Sequence, residues 1–225
     1  MTPLDPEITH LKDLLLRMAS MAEGLVVRSV RALVERDDEL ARGVAAGDEP
    51  LDQLEKELDA AAIALLTKAP LAGQLRLITV VIKITRDLER IGDESTTIAR
   101  RALELGREPQ LKAYEDIPAM SRLAIEMLRD ALDAFVHGDT TRARAVVPRD
   151  KAVDALNRSL RRELTEWMTR EPGVVVRCLH LMTISKALER IADHAKNIAE
   201  ESVYLYEARD IRHAGDEGED GAVAS

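Results

Sequence analysis

The sequence predicts an all-α protein built from two tandem, pseudo-symmetric three-helix bundles. Three observations carry that prediction. The 225 residues are 46% hydrophobic but only 2% aromatic, so the core must be made almost wholly from Leu, Ile, Val, Ala and Met, the residues that suit helix packing. Residues 71–108 and 173–214 contain no proline, which is incompatible with the frequent turns of a β-sandwich. The chain also matches itself: LERIGDESTTIA at 88–99 aligns with LERIADHAKNIA at 188–199, a shift of 100. Upstream, Asp37, Asp48, Asp52, Leu58 and Pro70 meet Asp139, Asp150, Asp154, Leu160 and Pro172 at a shift of 102.

Each copy reads as three rods. The first helix carries Leu11, Leu14, Leu15, Met18, Ala22, Leu25, Ser29 and Leu33 at spacings of three and four. After the polar ERDDE segment, whose Asp supplies a cap, a second helix is expected over residues 37–68, with Leu40, Val44, Leu51, Leu54, Leu58 and Leu65 as its stripe. Pro70 ends it. The third helix carries Leu75, Ile78, Val81, Leu88, Ile91, Ser95, Ile98 and Ala102 until Gly106 and Pro109. The second copy repeats this over residues 118–137, 139–170 and 172–209, with Gly138 and Pro172 as breaks. The domains expected are residues 1–106 and 117–209, joined by a linker at 107–116 and followed by a disordered acidic tail at 210–225. Rods of this length, about 45 Å, joined by short turns must lie antiparallel.

Composition also excludes classes of function. No run approaches the 18 apolar residues of a membrane span, and the N-terminus has neither the basic nor the apolar region of a secretory signal. The single Cys178 forms no intrachain disulfide, so a cytoplasmic location is expected. A net charge of −9 argues against binding nucleic acid or anionic membranes, while a surplus of carboxylates can recruit cations. No glycine-rich phosphate loop, Gly-x-Ser-x-Gly elbow or Cys-x-x-Cys pair is present, so no catalytic grouping is expected and the protein reads as a non-enzyme.

The distinctive feature is a set of acidic pairs four residues apart: Asp48 with Asp52, Glu89 with Asp93, Asp150 with Asp154, and Glu189 with Asp193. That spacing puts both members on one helix face, where like charges repel and call for a cation or a neighbouring base. The pairs in each copy are equidistant from the turn at Pro70 or Pro172, so in an antiparallel hairpin four carboxylates should meet at one height. Oxygen donors on facing helices suit Fe, Mn, Mg or Ca more than a closed zinc site. The Glu-x-x-His signature of bundle di-iron sites occurs only as Glu7 with His10. Arg90 and Arg190 can form helical ion pairs with Asp93 and Asp193, and His194 is either a nitrogen ligand or an ordinary surface residue. Pro50 and Pro148 should kink the second helix of each copy, and Gly92 should permit close helix approach. Cys178 reads as a small buried hydrophobe. On residues alone, a carboxylate-bridged metalloenzyme and a structural helical adaptor are both open.

DLERIGDEST (87–96), ALERIADHAKNIAE (187–200), GDEPLDQLE and RDKAVDALN together resemble the PhoU family over about residues 7–208. The resemblance implies a cytoplasmic, non-enzymatic negative regulator of phosphate uptake and phosphate-starvation signalling. Its implied partners are the ATPase subunit of the phosphate ABC transporter, a sensor histidine kinase and a second copy of the chain. It further implies metal clusters, iron above all, with Mn, Mg, Ca or Zn as alternatives, on Asp48, Asp52, Glu89, Asp93, Asp150, Asp154, Glu189 and Asp193. The first copy departs from the family pattern, with Glu94 where His is usual and Thr97 where Asn is usual, so its site is expected to bind metal differently.

Overall fold

The structure, a computed structural model, describes residues 4–68 and 71–211. The turn at Pro70 and the tail beyond residue 211 lie outside the described residues. Every regular element among them is helical: α1 (Asp5–Glu35), α2 (Asp38–Ala45), α3 (Asp48–Leu66), α4 (Ala72–Gly106), α5 (Asp116–His137), α6 (Thr140–Val146), α7 (Asp150–Arg170) and α8 (Val175–Glu207).

The expected second rod is not continuous in either copy. Asp37 and Asp139 cap its start as predicted, their carboxylates accepting from Leu40 N and Arg142 N at 2.9 Å. The rod then breaks at Ala46–Gly47 in the first copy and at a 3-10 turn, Val147–Arg149, in the second. The physical cause is the proline. Pro50 and Pro148 have no N–H to give to the carbonyl four residues back, and their rings crowd it, so the chain restarts as α3 and α7. Gly47 also sits where a Cβ would lie 2.7 Å from Leu25 Cδ2, so the break lies tight against α1.

α4 and α8 form the centre. Within its own copy α4 packs against α1, α2 and α3, and α8 against α5, α6 and α7. The two central helices run antiparallel to each other, because Arg76 Nη1 donates to Leu205 O at 3.2 Å at one end and Arg190 Nη1 to Glu94 Oε1 at 3.0 Å further along. Buried residues such as Ile84, Leu88, Ile91 and Ile98 in α4, with Ile184, Leu188, Ile191 and Ile198 in α8, make one cluster continuous through both copies. Each contributes about 1.5–3 kcal/mol on leaving water. Elsewhere, Gly138 ends α5 at φ +69°, a conformation that favours glycine, with the Tyr206 ring 3.2 Å from where a Cβ would stand. Tyr206 Oη donates to Phe135 O at 2.7 Å, holding the end of α8 to this corner. Arg36 in turn donates to Gly106 O and Glu108 O at 2.8 and 2.7 Å, tying the end of α1 to the end of α4.

Candidate metal centres and the helix seam

The break in the second rod makes Asp48 the first residue of α3 and Asp150 the first of α7, so each stands at a helix N-terminus facing the next long helix. In the first copy Asp48, Asp52, Glu89 and Asp93 are brought into mutual electrostatic reach, as the hairpin register predicted. Burial, followed by the Asp52 and Asp93 charges, raises the Asp48 carboxyl. Burial and then Asp93 push Glu89 up to about 6, against the opposing pull of Arg90. Glu55 joins this group, raised by burial and by Asp59 and Asp52. It lies one turn beyond Asp52 on the same face, at a spacing of three rather than the four that defines the acidic pairs.

In the second copy Asp150, Asp154, Glu189 and Asp193 are gathered in the same way. Asp193 is pushed up to about 6 by burial and then by Asp150 and Glu189. Asp150 is only 7% exposed, and its Oδ1 has no hydrogen-bond partner among the described residues. The counterpart of Glu55 is Asn157, which is buried and accepts from Ser185 Oγ at 2.7 Å. The second group is therefore one carboxylate poorer than the first.

Both groups are partly balanced by bases from the chain itself. Arg90 lies 3.2 Å from Glu89 and 2.9 Å from Asp93. Lys186 pairs with Glu189, and Lys196 stands 3.4 Å from Asp150. As the side chains stand, no three His, Cys, Asp or Glu residues among those described are close enough to hold an ion. The donor set is nevertheless the all-oxygen chemistry of a hard cation, and the unpartnered Asp150 Oδ1 with the raised Asp193 and Glu89 is the strain such a cation relieves.

His194 takes no part in either group. Its Nδ1 lies 2.8 Å from Asp87 Oδ1, and Asn197 Nδ2 donates to the same oxygen at 3.3 Å, both across the seam between α8 and α4. Glu94, in the corresponding position of the first copy, instead accepts from Arg190 across the same seam. The departures at Glu94 and Thr97 thus fall at the contact between copies, facing away from the carboxylates they were expected to modify. Glu7 pairs with Lys68 at the far end of α1, and Cys178 is fully buried as expected.

Comparison with known proteins adds an independent line. The PhoU domain model matches residues 15–102 and again 117–202. The phosphate-specific transport system accessory protein PhoU homolog of Pseudomonas putida is 38% identical over 211 residues, covering 93% of this chain and 82% of that protein. Its counterpart from Aquifex aeolicus is 38% identical over 208 residues, covering 92% and 94%. Among solved structures, PhoU from Pseudomonas aeruginosa superimposes with a TM-score of 0.89 at 35% identity, covering 92% of this chain and all of that one. The phosphate transport system regulatory protein PhoU from Streptococcus pneumoniae gives 0.87 at 26% identity, covering 92% and 99%.

Proposed function

This chain belongs to the PhoU family, and from that membership we propose that it is a non-enzymatic negative regulator of phosphate uptake and phosphate-starvation signalling. The observation that carries the reading is the double match: both halves fit the PhoU domain, and relatives similar over more than nine tenths of this chain are accessory proteins of phosphate-specific transport. In this reading the protein works in the cytoplasm as a homodimer. It links the transporter's ATPase subunit to a sensor histidine kinase. No helix of the described residues is long and apolar enough to cross a membrane, which accords with a partner that docks onto a transporter.

Metal belongs to the same proposal. Asp48, Asp52, Glu89 and Asp93 would hold a cation, iron for preference, in the first copy, and Asp150, Asp154, Glu189 and Asp193 in the second. Bound there, the cation supplies positive charge to an acidic flank. Arg90, Lys186 and Lys196 release their carboxylates to it, so that loaded and unloaded states differ in the charge they present to a partner.

Deleting the gene should switch phosphate-starvation genes on in phosphate-replete medium, while the purified protein turns over no substrate. Normal repression in the deletion strain overturns the regulatory reading. Binding to the transporter or kinase that is insensitive to chelation removes only the role given to metal.

A further inference from the structure

Two grooves flank the α4–α8 seam and are related by the internal pseudo-symmetry. One is lined by Lys83, Arg86, Asp87 and Arg90 of α4 with His194 and Asn197 of α8, and the other by the counterparts Thr183, Lys186, Ala187 and Arg190 of α8 with Glu94 and Thr97 of α4. Their charges have diverged.

In the first groove the carboxylates engage the bases, Arg86 excepted. Glu201 accepts from Lys83 through both oxygens at 3.0 Å, Asp87 meets His194, and Arg90 is engaged by Glu89 and Asp93. In the second groove both of those acids are missing: Asp87 is replaced by Ala187, and Glu201 by Arg101. A further base, Arg161 of α7, enters the lining. Three cations, Arg161, Lys186 and Arg190, therefore surround about 400 Å³ with Glu94 as the single carboxylate of the lining, on a chain whose net charge is −9.

Lys186 is paired with Glu189 and Arg190 with Glu94, so one base of the lining is left over. Arg161 is exposed and pairs with no carboxylate among the described residues.

We infer that the groove between α4, α7 and α8 binds a small phosphate-type oxyanion, with Arg161 and Arg190 as charge partners and the Thr97 and Thr183 hydroxyls at its wall. Guanidinium forks match the paired oxygens of such an anion, and a cleft lined by one sign of charge concentrates it. The two sources of that chemistry are free phosphate and a small phosphate monoester. The assignment stands whether or not the regulatory reading holds.

The test is calorimetric titration of the full chain at constant ionic strength with inorganic phosphate and, separately, glycerol 3-phosphate, against chloride alone. Tighter binding of the first identifies the free ion, and of the second the ester. Arg161→Gln should weaken the tighter ligand at least tenfold. Glu94→Gln, which removes the one opposing carboxylate and frees Arg190, should strengthen it, and Lys83→Gln in the opposite groove should leave it unchanged. Circular dichroism confirms that each variant is folded. Failure of both anions to bind the wild-type chain above the chloride control overturns the assignment. So does an Arg161→Gln variant that binds as the wild type does.

Discussion

Gly92 of α4 lies directly beneath Leu51 of α3: a Cβ built on the glycine would stand 2.2 Å from Leu51 Cδ2. The second copy has Ala192 at the first position and Val153 at the second, both buried. One methyl group gained on the long helix is matched by one carbon lost on its neighbour, so the two helix crossings are packed to similar volume by opposite choices.

From this it follows that Gly92→Ala is harmful although alanine is the better helix former. The propensity gain is about 1 kcal/mol, but Leu51 is fully buried, and overpacking of this kind costs about 1–3 kcal/mol. Urea denaturation should show the single variant destabilised. The double variant Gly92→Ala, Leu51→Val should recover wild-type stability or better, and failure to recover would mean that the backbones, not these side chains, set the helix approach.

Glu94, 14% exposed, pairs with Arg190, 56% exposed, across the seam. Glu94→His would install the residue that the second copy carries at this position, yet it places an imidazole against a guanidinium and forfeits the pair. The loss expected is about 1 kcal/mol, kept small because Arg190 is largely solvated. Metal content should not change, since position 94 faces away from the carboxylate group. A gain of metal in this variant would reinstate position 94 as part of the first site.

Stability should rise as pH falls from 7 to 5. Glu89 and Asp193 titrate near 6 in the folded chain, above their ordinary values of 4.5 and 3.8. The folded state therefore binds more protons than the unfolded state over that window, and stability declines as pH rises through it. Melting temperatures measured across the range should show this trend. Asp193→Asn should flatten it and raise the melting temperature at pH 7.

Replacing Asp48, Asp52, Glu89 and Asp93 by their amides should abolish metal at one site and leave the metal-free fold as stable as before or more so, because neutral amides relieve repulsion without opening a cavity. Elemental analysis and thermal melts read the two effects. Unchanged metal per chain would dissociate these residues from the cation.

Cleavage within residues 107–116 should give two halves that each retain helical structure, because each keeps its own long helices around α4 or α8. The halves should reassociate on mixing through the α4–α8 seam. Circular dichroism and size-exclusion chromatography distinguish this from unfolded fragments, which would show that the shared core is indispensable to both.

The sequence by itself determined the helical class, the duplication and the meeting of acidic pairs at one height. These follow from local periodicity and from the distance of each residue to a turn, and both are properties of a chain read along its length. It also marked Pro50 and Pro148 as sites of a kink, though not that the rod stops and restarts there. Whether a proline bends a helix or ends it depends on what the freed segment packs against, here α1 close to Gly47. The seam was decided only in three dimensions. Nothing in the spacing of His194 and Asp193, adjacent in sequence, says that one faces a carboxylate group and the other a different copy of the repeat. Successive residues on a helix point about 100° apart, and which neighbour fills each direction is set by the crossing of α4 and α8. For the same reason Glu94, expected from the sequence to alter metal binding at the first site, could not be placed in a contact between copies until the helices were packed. The bases that occupy the acidic groups, Arg90, Lys186 and Lys196, were visible as residues, but their claim on particular carboxylates is a matter of distance, which only the packed helices provide.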